Sequence, residues 1–433
     1  MNLLGTPLFQ EALDLEISSR LATFETTCSR LELLEHHDAL FLLKNVFHIP
    51  KFLYLLRTAP CFTSSGLKTF DQAVRSCLEA ITNCRLDDQA FCQASLPVKL
   101  GGLGIRRVVD ICLPAFIASS FKAAGITAHL LPDEHSAPYD ALLSEAVTKW
   151  KTLDSRLSEP AVAVRAIQKN WDLPIAQLRL NNLIDEASSA VTRSRLLAVS
   201  APGAGSWLEA VPIPSLGLKL DNESLRISVS LRLGVKLNLP YDCVCGAAVD
   251  DSATHGLDCR KAIGKHSRHS EVNDIIHRAL NAAGVPSHLE PVGLSQVDGK
   301  RPDGATFIPW RQGRCLVWDF TCVNTIARSH LSHSTSQAGS VSVIAEEKKK
   351  KKYTNLSDTY IFTPIAIETL GPWGPEASSF VSELGRRLSE ATGEQRSRAF
   401  LKQKISTAIQ RGNASCILGS FPRNTAISED FYN

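Results

Sequence analysis

Asp303 and Asp319 stand at mirror positions about Arg311 in the stretch DGKRPDGATFIPWRQGRCLVWDFTC, which runs from Asp298 to Cys322. A hairpin centred on Arg311 would set the two acids across from each other, with Cα atoms about 5 Å apart. Two carboxylates that close repel unless they share a proton or a cation. Mg2+ resolves the repulsion, because it takes hard oxygen ligands at about 2.1 Å and keeps several waters. A water acidified by such a metal can attack a phosphodiester in line. A turn centred on Gly313 would instead offset the pair by several residues. The plainer explanation of Asp319, alone in the apolar run CLVWDFTCV, is a charge at a sheet edge, facing water or paired with Arg301 or Arg314.

A phosphodiester site also needs a cation for the phosphate. The run Lys348–Lys352 follows Glu346 and Glu347 on a helical stretch. Five lysines in a row commonly form a solvated face, and a nuclear-localisation patch has the same composition. Lys349 and Lys352 are nevertheless three apart, on one helical face, where either could orient the attacking water or hold the scissile phosphate. The remaining lysines would track a nucleic-acid backbone. Glu271, at the expected start of a helix, either completes the metal site or is an acid favourably placed at a helix N-terminus. Glu290 is a weaker candidate for the same role.

A second constellation is Cys243-x-Cys245-x9-His255-x3-Cys259. Three thiolates and one imidazole suit the four tetrahedral positions of Zn2+. Gly246 lets the chain turn behind the first two sulfurs, and His255 and Cys259 share one face of a helical turn. With all four positions filled by protein, no water is left to activate, so such a zinc is structural. Chance is the competing explanation in a chain with twelve cysteines.

Two other matches are set aside. Leu86-Asp87-Asp88 lacks the flanking apolar strands that paired polymerase aspartates require, and its acids fit the start of a helix. Gly101-Gly102-x-Gly104 lacks the strand–turn–helix frame of a dinucleotide fingerprint. No Gly-x-Ser-x-Gly elbow occurs.

The elements that must carry these residues change character along the chain. Residues 8–125 show apolar positions three and four apart, with few glycines, and read as helices. Residues 130–200 are helical and more polar, and SAPGAGSW (200–207) offers a domain boundary. SLRISVSLRLGVKLNL reads as a helix leading into the cysteine cluster. Beyond it the spacing predicts a helix capped by Ser270 and ending before Gly284, strands over ATFIPW and CLVWDFTCV, a helix over 339–353, a strand in TYIFTPIAIETLG, and two final helices. This predicts a small mixed sheet flanked by helices.

Length suits two or three domains, and a hydrophobic content of 44% permits a core in each. A formal net charge of +3 requires any basic binding surface to be local. Scattered cysteines fit a reducing compartment. The start, Met1–Pro7, lacks the pattern of a secretory signal, and the apolar stretch ALFLLKNVFHIPKFLYLLRTAP is interrupted by Lys44, His48, Pro50, Lys51 and Arg57. Core helices, no membrane span, and a nuclear or cytoplasmic location are therefore expected.

QASLPVKLGGLGIR is similar to the segment that follows the polymerase core in non-LTR (LINE-type) retrotransposon proteins. The Cys/His cluster, then KRPDG and Asp319, resembles the C-terminal end of early-branching members of that group. The resemblance covers residues 10–420. It implies an α+β chain: a helical region (1–125), a helical connector (126–235), a zinc knuckle (236–265) and a restriction-endonuclease-like domain of the PD-(D/E)xK type (266–420). It further implies a Mg2+-dependent endonuclease acting on DNA, with RNA as a second partner, Asp303 and Asp319 on the metal, and Lys349 or Lys352 in place of the usual lysine position, which Thr321 occupies. The polymerase core is missing, so no reverse transcription is expected of this chain. A catalytically dead nucleic-acid-binding protein and an inert transposon fragment are the alternatives.

Overall fold

The computed structural model describes residues 2–7, 9–130, 133–237, 240–294 and 301–422. The chain is α+β and divides into two compact units, 1–82 with 86–183, and 83–85 with 184–433. SAPGAGSW is therefore not a boundary. Trp207 is buried there and Gly371 packs against Ala204, so the segment belongs to the core of the second unit.

The first unit contains a short hairpin, β1 (Asn2–Leu3) and β2 (Thr6–Pro7), followed by helices α1 (Gln10–Leu31), α2 (His36–Leu42), α3 (Ile49–Thr58), α4 (Gly66–Thr82), α5 (Asp88–Ala94), α6 (Val108–Leu130) and α7 (Asp133–Thr152). Helix α8 (Gln168–Asp185) ends at the division. The apolar faces of α1, α3 and α4 meet around Phe70, whose ring lies 4.9 Å from Phe24 and 4.6 Å from Phe52. His48 is buried beside Phe24 and Phe70. The stretches His36–Thr58 and Val108–Thr127 are long and apolar enough to cross a membrane by length and composition. Here both supply core residues, among them Leu43, Leu55, Leu56, Ala115 and Ile117. Asp87 begins α5 by accepting the Ala90 N–H at 2.7 Å, the helix-start role expected of this acid.

The second unit opens with α9 (Ala190–Val199) and α10 (Asn222–Leu233), then the two-stranded hairpin β3 (Tyr241–Asp242) and β4 (Ala248–Val249). Next come α11 (Gly264–Ala282), β5 (Ser287–Leu289), β6 (Gly304–Arg311), β7 (Arg314–Val323), α12 (Leu331–Ser334), α13 (Ser340–Lys352), β8 (Ile361–Glu368), α14 (Pro375–Thr392) and α15 (Ser397–Leu418). The sheet order is β5-β6-β7-β8. The first two pairings are antiparallel; β7 and β8 are parallel, with α12 and α13 in the crossover. Pro364 is tolerated in β8 because that strand is an edge.

Both faces of β7 are covered, which accounts for the continuous apolar residues Cys315–Trp318. Leu316, Trp318 and Phe320 join a core with α11, α14 and α15, whereas Val317 faces the other way and packs with Ala305, Tyr353 and Leu356. By strand alternation Asp319 shares the face of Val317, and Asp303 that of Ala305.

Candidate functional site

The β6–β7 turn is Gln312-Gly313, both with positive φ, rather than a loop centred on Arg311. A regular hairpin on that turn would set Asp303 three residues out of register with Asp319. Bulges in β6 correct this. From the pair Arg311↔Arg314 to Gly304↔Trp318, β6 advances seven residues and β7 four. Pro309 has no N–H for the ladder, and the Thr306 hydroxyl takes over a ladder position, accepting the Leu316 N–H and donating to the Ile308 carbonyl, each at 2.9 Å. Continued one residue beyond Gly304↔Trp318, the register sets Asp303 against Asp319. Only glycine fits at position 304: a Cβ there would lie 2.1 Å from the Trp318 ring.

Asp319 is buried, and its Oδ1 accepts from Lys349 Nζ at 2.5 Å. The Tyr353 hydroxyl also donates to this carboxylate. Burial pushes the Asp319 pKa up, the Lys349 ammonium opposes that, and the charge of Asp303 adds to it. Arg301 and Arg314 are not its partners: Arg301 pairs with Glu290, and Arg314 donates to the Ser357 carbonyl. Asp303 Oδ2 accepts the Phe320 N–H at 2.6 Å and lies 3.2 Å from His269 Nε2. The carboxylate thus closes the ladder where β6 ends.

Lys349 reaches the site because α13 is fixed at its first turn and at its middle. Glu368, at the end of β8, accepts the Ser342 N–H at 3.1 Å in the first turn of α13. Glu346, one turn before Lys349, accepts the N–H groups of Glu376 and Ala377 at the start of α14. Lys352 lies a turn further on, with Nζ 5.0 Å from the Tyr353 ring centroid.

Glu271 is not part of this arrangement. Helix α11 begins at Gly264, so Ser270 is inside it and caps nothing. Position 271 is two residues, about 200°, around the helix from 269, and its carboxylate pairs with Arg411 on α15. His269 takes the place facing the acids. The Trp318 indole donates to Asn273 Oδ1 at 3.0 Å, which turns the Asn273 amide nitrogen toward His269 Nδ1, at 3.3 Å. That relay leaves His269 Nε2–H to donate to Asp303. The bond to Asp303 pushes the histidine pKa up, against its partial burial. The sequence carried a sign of it: His269 stands on the stripe of Val272, Ile276 and Leu280, a polar residue on an otherwise apolar face.

The donors here are two carboxylates, hard ligands suited to Mg2+. Each is met by a protein cation or N–H group, and a metal would have to displace Lys349 from Asp319. Among the described residues, the tightly gathered set of metal-ligating side chains is elsewhere. Cys243, Cys245, His255 and Cys259 place their ligand atoms within 4.8 Å of one another. Cys243 Sγ and Cys259 Sγ are 3.5 Å apart, and Cys245 Sγ and His255 Nε2 are 3.2 Å apart. Separations this short let the four side chains hold one metal such as zinc, whose bonds to sulfur and nitrogen are about 2.0–2.3 Å. Burial pushes the Cys243 thiol up to about 12, while the Ala247 N–H, first among several donors, draws Cys245 down to about 6. The cluster is not a free-standing knuckle. Cys243, Val249, Leu257 and Cys259 share a core with Ile227 and Leu231 of α10 and with Ala414 and Ile417 of α15. Tyr241 stacks on Phe421, with centroids 4.2 Å apart.

Compared with known proteins, the chain matches no family model and no curated protein.

Proposed function

We propose that residues 264–418 form a metal-dependent DNA endonuclease module of the restriction-endonuclease type, in the C-terminal part of a LINE-type retrotransposon protein. The observation that carries this reading is the gathering of Asp303, Asp319 and Lys349 at one face of the β6–β7 hairpin, with Lys349 Nζ 2.5 Å from Asp319. A small mixed sheet between helices, preceded by a Cys/His cluster, is the architecture that the resemblance implies.

A bound Mg2+ would supply an acidified water and neutralise charge on the phosphate. Asp303 and Asp319 would hold it. Lys349, released from Asp319, would hold the scissile phosphate or orient the water, and His269 and Tyr353 would keep the two carboxylates aimed. The exposed Lys348, Lys350 and Lys351 would follow the backbone phosphates. Zinc at the Cys/His cluster would stiffen the second unit. The test is incubation of the whole chain with supercoiled plasmid. Nicked circles in Mg2+ and none in its absence are expected; no nicking in Mg2+ or Mn2+ defeats the proposal.

One observation favours a second reading, a nucleic-acid-binding protein with a dead site. Thr321 stands where the motif lysine is expected, and Asp303 already serves the ladder through the Phe320 N–H. On that reading binding weakens steeply with salt and no variant of the acids matters. An inert fragment would show neither nicking nor a salt slope.

A further inference from the structure

A cleft of about 280 Å3 opens beside Lys349, between the end of β7 and α13. Thr321 and Val323 form one wall, Val341 and Ile344 the other, and His330 lies between. Lys348 and Lys352, four apart on α13, add two ammonium groups, and Lys349 belongs both to the cleft and to the Asp319 ion pair. We infer that this cleft receives one unpaired nucleotide of the strand whose phosphate lies at Lys349, an inference that rests on the endonuclease reading and names its substrate form.

Bases inside a duplex are reached by protein elements that enter a groove, about 12 Å wide on the major side. A hollow in the protein can take a base only when that base leaves the stack. The volume is slightly below the ~300–1,000 Å3 typical of small-ligand sites, a size for a single nucleotide rather than a helix. Aliphatic side chains offer flat apolar contact for a base, and His330 is a planar partner of the kind on which unstacked bases lie. The His330 ring is fixed, with Nδ1 2.8 Å from the Asn324 carbonyl. Lys348 and Lys352 supply the charge that a sugar-phosphate backbone needs, and among the described residues nothing acidic lines the cleft.

Affinity for two 20-mer duplexes of one sequence, one fully paired and one with a single bulged 2-aminopurine, tests this with the whole chain and no added Mg2+. The bulged duplex is expected to bind at least tenfold tighter, with a change in 2-aminopurine fluorescence on binding. Ala345 of α13 also lines the cleft; filling it by Ala345→Trp, or by the milder Ala345→Leu, should bring the bulged duplex to the affinity of the paired one and leave the latter unchanged. Equal affinity of the wild-type chain for the two duplexes overturns the inference, as does discrimination that survives both substitutions in folded protein. Discrimination without any plasmid nicking would sink the endonuclease reading alone; acid-dependent nicking without discrimination would sink the cleft alone; no binding of either duplex would sink both.

Discussion

Lys349 Nζ lies 2.5 Å from Asp319 Oδ1 although thirty residues separate them, and it stands over the face that Thr321 shares with the acid. The lysine comes from the crossover helix rather than from the strand. It and Lys352 should therefore separate in experiment. Lys349→Gln is expected to lower plasmid nicking by about ten- to a hundredfold, the usual cost of losing a group that orients a metal site. Lys352→Gln should leave the cutting step intact, weaken DNA binding, and reduce the slope of log affinity against log salt by about one. Equal effects of the two substitutions on both quantities would contradict the assignment.

The Cys/His cluster should hold one zinc per chain, measurable by elemental analysis of the purified protein. Because the cluster shares its core with α10 and α15, metal loss should loosen the whole second unit rather than a local turn. Cys259→Ser is expected to abolish the zinc and to lower the unfolding midpoint. A zinc-free protein with an unchanged midpoint would leave these cysteines without a metal role.

Glu346 gives a way to disturb α13 from a distance. An ideal Cβ on Gly374 would sit 2.0 Å from Glu346 Oε1, against a carboxylate that caps α14 through two N–H groups. Gly374→Ala is expected to destabilise the protein by about 1–3 kcal/mol, the usual cost of overpacking. Glu346→Ala should cost about 1–2 kcal/mol through loss of the cap. Urea unfolding of both variants checks this, and no shift in either midpoint would contradict the packing described.

In the first unit, burial lowers the His48 pKa to about 3 from an ordinary value of 6.5. Between those values the unfolded chain binds a proton that the folded chain does not. Stability from this group is full above pH 6.5 and is lost as pH falls toward 3. From pH 7 to pH 5 the loss should be about 2 kcal/mol. His48→Phe, in a site already lined by Phe24 and Phe70, should remove that part of the acid sensitivity. An identical pH profile for the variant would show that His48 titrates freely in the folded state.

Much of this arrangement could be read from residue order. The strands around Asp303 and Asp319 and the helix carrying the lysines follow from alternation and helical spacing, and the Cys/His spacing marks a group that could hold a metal. What spacing left open was tertiary. The acids come opposite through bulges at Thr306 and Pro309, and a hairpin counted from its turn does not contain them. Helix α11 starts at Gly264, six residues before the apparent Ser270 cap, and Gly264 packs against the backbone of Ser415 and Cys416 on α15. That earlier start moved Glu271 out of the site and brought His269 in. The small residues at 200–207 offer a boundary by composition, yet Ala204 is short because it packs against Gly371 in the core of the second unit.

On the proposed reading, Asp303 and Asp319 act together on a metal at a phosphodiester. Plasmid nicking in Mg2+ by the wild-type chain, Asp303→Asn and Asp319→Asn measures it directly. The account predicts nicking by the wild type and a loss of at least about a hundredfold in each variant, with the zinc content of all three unchanged. Equal nicking by all three proteins would contradict it.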